Sequence, residues 1–223
     1  MKSGIKYIVV LGLLLSLAAG GNASEIFGEA QIGHQRGLSL GMQFSVHNFA
    51  KSLPLALRVG LARATFDPGN AADARKIFIN NNQGGTVVKS GKTWNYSFDF
   101  LYPFRLLNIP NTVLVVGPRY ARFTGNFRYV GNNEDFDVVS KHWGIGLGLE
   151  ASFAVTDKVN FLLSGGSEYF FPAELNGHDT SYWPDGEKVN PREDYEYADA
   201  DAAVNQPELQ FRMMVGLSYL LRK

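Results

Sequence analysis

The stretch KTWNYSFDFLY, Lys92 to Tyr102, sets Trp94, Tyr96, Phe98, Phe100 and Tyr102 on every second position, with Thr93, Asn95, Ser97 and Asp99 between them. Successive side chains of a strand point to opposite faces, so all five rings share one face. A water-soluble protein would turn that face into its core, whereas a membrane barrel would turn it out into lipid. The alternation alone is compatible with both, and the rest of the chain has to decide.

The same period recurs. Leu38, Leu40, Met42, Phe44 and Val46 alternate with Ser39, Gly41, Gln43 and Ser45, and Leu53, Leu55, Leu57, Val59 and Leu61 alternate with Pro54, Ala56, Arg58 and Gly60. Trp143, Ile145, Leu147, Leu149, Ala151 and Phe153 alternate with Gly144, Gly146, Gly148, Glu150 and Ser152. The final segment places Leu209, Phe211, Met213, Val215, Leu217, Tyr219 and Leu221 on one side. Weaker patterns near residues 25–33, 112–123 and 158–171 bring the expected strands to eight. Most of these runs reach about ten residues, the length of a tilted strand crossing a bilayer core. No helical apolar stripe stands out after the N-terminus.

That N-terminus, MKSGIKYIVVLGLLLSLAAGGNASE, has Lys2 and Lys6 before an apolar run from Tyr7 to Leu17 and then small residues. It has the layout of a secretory signal peptide over residues 1–23, cleaved after Ala23, leaving residues 24–223 as one barrel domain. The absence of cysteine excludes a disulfide scaffold and a lipidated cysteine anchor. With 21 basic and 21 acidic residues the chain carries no basic field for nucleic acid. No later apolar run is long enough for a transmembrane helix, so any membrane crossing must be made by strands.

Connection lengths alternate. Short links are expected near 47–51, 105–111 and 155–158, and longer ones near 67–91, 124–139 and 172–205; the link at His34 to Arg36 is the short exception. This is the asymmetry of an outer-membrane barrel with periplasmic turns and extracellular loops. The polar phase is rich in Gly, Ser and Ala, which suits the cramped interior of eight strands better than a solvated face. Trp94, Tyr96, Phe98, Phe100, Tyr102, Trp143, Phe153, Phe211 and Tyr219 are then expected to face lipid. Arg58, Asp99, Arg119, Glu150, Glu168 and Arg212 are expected to face the lumen as a paired structural network, because an isolated charge there would be costly. Pro118 raises the alternative of a bulge that would change the phase at Arg119.

The signal segment, the eight alternating strands, the loop asymmetry and the closing strand FRMMVGLSYLL together resemble the small bacterial outer-membrane barrels of the OmpA-like and OmpX-like type. The resemblance covers essentially the mature chain and is one of pattern. It implies an all-β, eight-stranded antiparallel up-and-down transmembrane β-barrel, monomeric, in the outer membrane of a Gram-negative cell, with both termini in the periplasm. Its implied partners are outer-membrane lipid and lipopolysaccharide, and the barrel-assembly machinery during insertion. The departure is at the end, where Tyr219 is followed by Leu220, Leu221, Arg222 and Lys223 instead of closing the chain on an aromatic residue.

The expected role is structural or surface-interacting, with a filled, salt-bridged lumen instead of an open pore, and with loops 67–91 and 172–205 as contact surfaces for an extracellular partner. A soluble periplasmic barrel binding an apolar ligand is the alternative. A lipid-modifying enzyme is a further one, for which Ser140, His142 and Glu168 would supply the acyl-transfer groups. The four dispersed histidines have no metal-ligand spacing, and GIGLGLE has strand period with no following helix, unlike a phosphate-binding loop. Neither catalysis, cofactor nor metal is therefore expected. The acidic segment around DYEYADAD lacks calcium-loop spacing, and KIFIN and TVVKS, around NNQGG, are expected to extend strands three and four as a hairpin.

Overall fold

A computed structural model of the protein describes residues 25–48, 53–82, 84–106, 109, 111–131, 133–192 and 194–223. The expected signal peptide and its cleavage after Ala23 lie outside the described residues, as does most of the link 47–51.

Wherever the sequence alternates, a long strand forms: β1 (Glu25–Gln35), β2 (Leu38–His47), β3 (Ala56–Phe66), β4 (Thr86–Pro103), β5 (Thr112–Val130), β6 (Glu134–Ala154) and β7 (Val159–Phe170). Three two-residue strands follow, β8 (Leu175–Asn176), β9 (Ser181–Tyr182) and β10 (Lys188–Val189), before the closing strand β11 (Leu209–Arg222). Each long strand pairs antiparallel with its neighbours, and β11 pairs with both β7 and β1, so eight strands close into a barrel. A row of directly paired residues leaves β6 at Lys141, runs through Arg122, Trp94, Arg63, Leu40, Ile32, Val215 and Leu163, and returns to β6 at Ala151, ten residues along. A stagger of that size over eight strands tilts them by about 40°.

Pro118 leaves a gap in the β4–β5 ladder between the pairs Ser97–Arg119 and Phe100–Val116, yet the register is the same on both sides of it. Proline removes one donor without inserting a residue, so Arg119 keeps the inward phase. The β1–β11 ladder does shift register, between Ile26 and Phe27 at the terminal end of the barrel.

Two connections differ from expectation. The segment 124–139 is no loop: β5 continues past the barrel rim to Val130 and β6 starts at Glu134, the two paired up to Tyr129 and Glu134. KIFIN lies mostly in a helix, α1 (Ala71–Phe78), while TVVKS is strand and pairs with β5. The helix starts there because Asn70 caps it, its side chain accepting from the amides of Ala72 and Asp73. Its buried apolar side chains, Ala71, Ala74, Ile77 and Phe78, recur at a spacing that packs one face.

The end of the barrel opposite the termini is covered by a folded cap. Helix α1, the short strands and a second helix, α2 (Tyr197–Ala203), pack on the inward phase of the tall β5–β6 hairpin, through Phe123, Phe127, Tyr129, Phe136 and Val138. Phe78 meets Tyr182 edge-on at 5.7 Å, and the Tyr129 hydroxyl donates to the Ala71 carbonyl at 2.7 Å. The α1 and α2 segments are tied where the Asn70 amide donates to Ala203 and the Asn205 amide to Pro68. Truncating Phe78 to alanine should cost the cap about 3–5 kcal/mol. Amide exchange measured strand by strand should quicken in α1 and β8–β10 and stay slow in β1–β3.

Candidate functional site

The outer wall of the barrel is apolar. Leu38, Leu40, Met42, Phe44, Ile145, Leu147, Leu163, Met213, Val215 and Leu217 are all exposed there, as are Trp94, Phe100, Tyr102, Trp143, Phe153, Phe211 and Tyr219. Trp143 is 65% and Phe211 70% exposed, values no folding gain in water explains. Tyr96 and Phe98 lie on the same outer face, partly covered by neighbouring rings.

The inner wall carries paired charges. Arg58 has no exposed surface, and its guanidinium meets Glu150 at 2.8 Å, Glu29 at 3.3 Å and Asp99 at 3.6 Å. Those carboxylates sit on β6, β1 and β4, so one side chain from β3 ties together four strands. Arg119 on β5 meets Asp99 at 2.7 Å and Glu168 of β7 at 2.8 Å, and Arg212 of β11 approaches Glu168 at 3.8 Å. Amides fill the remaining acceptor positions: Gln31 donates to Glu150, Gln35 and Gln210 donate to Glu168, and the Ser45 hydroxyl donates to Glu29. The six residues expected in the lumen are thus brought into one network around Asp99, which contacts two arginines.

Glu29 joins that network although the charge pattern had not singled it out. Three arginines therefore face four carboxylates, in place of an even balance. The signal was present in EAQIGHQ, where Glu29, Gln31 and Gln35 share a phase opposite Ala30 and Ile32. Small residues in the inward phase have a steric function. A β-carbon on Gly146 would lie 2.4–2.6 Å from the Arg119 guanidinium, and one on Gly60 would lie 2.5 Å from the Ser97 hydroxyl.

Ser140 and His142 do meet, Oγ to Nε2 at 2.7 Å, but the other imidazole nitrogen lies 2.9 Å from the Phe171 carbonyl, not beside Glu168. Both residues are buried, at 1% and 0% exposure. The acidic segment is used for folding: Glu196 and Asp199 form a capping box on α2, and Asp201 accepts from Gln206. Among the described residues no cluster of three or more metal-ligating side chains forms. Tyr182, within the 172–205 segment expected to offer a contact surface, is fully buried in the cap, and Tyr195 and Tyr197 pack against the same core. A cleft of about 460 Å³ opens on the cap, lined by Phe78, Glu134, His178, Asp179 and Arg192 among others.

Glu134 anchors the cap to the hairpin tip. Its carboxylate is 2.5 Å from Arg75 and accepts from the amides of Asn80 and Asn82. Burial pushes the carboxyl up, but the Asn80 and Asn82 donors and the Arg75 charge outweigh it and hold it below the ordinary glutamate range. A depressed carboxyl stabilises the fold above its unfolded value and ceases to do so as pH falls through the folded value. Cap amides in α1 should accordingly lose exchange protection below about pH 4, and a Glu134→Gln variant should show a weaker pH dependence there. In the lumen, Arg58→Met should destabilise the barrel by about 3–5 kcal/mol because three carboxylates lose their shared cation. Arg212→Met should cost clearly less, since Glu168 keeps Arg119 and two amide donors; unfolding followed by electrophoretic mobility in detergent ranks the two.

No family model matches the sequence, and no curated protein matches it. Among solved structures, the chain is similar to a major outer membrane protein from Thermus thermophilus, with a TM-score of 0.73 and 23% identity over 90% of this chain and 100% of that one. CarO2 of Acinetobacter baumannii (TM-score 0.43, 9% identity, 89% of this chain and 100% of that one) and Neisserial surface protein A (0.36, 12%, 88% and 94%) are more distant, and scores that low establish nothing further. The likeness to the Thermus protein is one of fold: this chain is an eight-stranded closed antiparallel barrel, with paired charges in its interior and a largely apolar outer wall.

Proposed function

We propose that the protein is an integral outer-membrane barrel with both termini in the periplasm, acting as a structural or surface-interaction protein and not as a pore. The observation that carries this reading is the inversion of polarity, with exposed Trp143, Phe211 and Met213 outside and Arg58 at zero exposure inside. Among sheets, only a closed barrel satisfies every backbone group while presenting apolar side chains to hydrocarbon. The lumen is crossed by ion pairs and then covered by the apolar cap, which supports a sealed interior in place of a conducting one.

In this reading the cap projects from the cell, and its outer faces within 67–91 and 172–205 are the surfaces offered to an extracellular partner. Lipid and lipopolysaccharide surround the belt, and the barrel-assembly machinery inserts the chain, which works as a monomer. A soluble periplasmic barrel would need the rings inside around a cavity, and the rings lie on the other face. Lipid modification would need Ser140 within reach of a substrate, and its burial speaks against that.

Two measurements test the proposal. The protein should fractionate with membranes, resist release without detergent, and migrate differently before and after boiling. Reconstituted into planar bilayers, it should pass no steady current. Release by salt or high pH alone would overturn the membrane assignment, and stable single-channel steps would overturn the sealed lumen.

A further inference from the structure

Among the described residues, a run of cations borders the apolar belt on its cap side. Arg63 of β3, Lys92 of β4, Arg122 of β5 and Lys141 of β6 are all exposed on the outer wall, on four consecutive strands. Arg63 is directly opposite Trp94, Trp94 is directly opposite Arg122, and Arg122 is directly opposite Lys141. Two like charges held directly across a ladder destabilise a sheet. Among the described residues none of the four makes an ion pair with a carboxylate. Two acids on the cap side have other partners, Asp67 in Lys89 at 2.7 Å and Asp137 in the Asn126 amide at 2.9 Å.

Directly below, toward the termini, the same strands present aromatic rings. Tyr96, Tyr120 and Trp143 form a continuous run with centroids 6.0 and 5.1 Å apart, and the Arg63 guanidinium stacks over Trp94 at 5.7 Å. Rings of this kind mark the level where hydrocarbon gives way to headgroups. The cations therefore stand beside this ring level, and Arg122 and Lys141 repel each other across the ladder, a repulsion that an anion between them would relieve.

Resting on the membrane reading above, we infer that Arg63, Lys92, Arg122 and Lys141 form a binding site for the phosphate-bearing headgroup of an anionic lipid in the outer leaflet. Phosphate oxygens accept from guanidinium and ammonium donors, and the acyl chains lie along Tyr96, Tyr120 and Trp143. The occupant is a lipid because the site opens sideways into the bilayer above an apolar wall.

The test compares vesicles of phosphatidylcholine with vesicles of phosphatidylcholine and phosphatidylglycerol, each holding the wild-type protein, Arg122→Gln/Lys141→Gln, the charge-preserving Arg122→Lys/Lys141→Arg, or Lys158→Gln in the turn at the opposite end. The unfolding temperature is read from the mobility of heated samples. The anionic lipid should raise it for the wild type, for Lys158→Gln and for the charge-preserving pair. The doubly neutral variant should lose that rise, with apparent lipid affinity falling about fivefold for each cation removed. The inference is overturned if the wild type shows no preference, if the neutral variant keeps the rise, or if inorganic phosphate reproduces it in phosphatidylcholine alone. Insertion without preference defeats the headgroup site only, whereas failure of every form to insert defeats the membrane reading and this site with it.

Discussion

Closure of β1 against β11 is the constraint on which everything else in this molecule depends. Ten residue pairs from Ile26 to Gln35 complete the ring, and with them no strand of the barrel is left with an open edge in its middle. Once the ring is closed, each strand has one face toward a narrow interior and one toward the surroundings, and side chains must be sorted accordingly. Arginines and carboxylates go inside only because they can meet there. Arg58 alone bridges β3 to β1, β4 and β6, a reach that depends on the small diameter of eight strands.

The same sorting explains the cap. On β5 and β6 the inward phase changes character as it rises, from Arg119 and Glu150 through Gly146 and Ser140 to Phe123, Val138, Phe136 and Phe127. Above the rim those rings have no barrel around them, and α1, α2 and the short strands provide the missing wall. The lumen is thus occupied at one level by ion pairs and covered at another by an apolar core. Polar plug and folded cap are consecutive stretches of a single inward-facing surface, and its composition follows what encloses it at each height.

The outer surface divides in a corresponding way. Its belt has exposed Leu, Met and Phe, and among the described residues Arg63, Lys92, Arg122 and Lys141 follow one another along the cap side of it, beside Trp94 and Trp143. Charge on a lipid-facing wall is tolerated where long side chains reach the interface. Arg63, stacked on Trp94, illustrates how a guanidinium is held at that boundary.

Much of this was legible from the residues alone. Period-two alternation is a local property, so the faces of β2, β4, β6 and β11, and the inward phase of Asp99, were open to inspection in the sequence. Glu29 was missed because EIFGEAQIG alternates weakly, and the β5–β6 extension because GNFRYVGNNEDFDV is polar enough to pass for a loop. Which carboxylate meets which arginine was decided by a stagger of ten residues around the ring, a sum over eight registers that no single segment encodes. The cap, too, belongs to the tertiary structure. Helices as short as α1 and α2 have little stability of their own, and form because Phe78, Ala200 and Tyr182 find a common core with Phe127 and Phe136. Local pattern determined which way each side chain points; ring closure and non-local packing decided what it touches there.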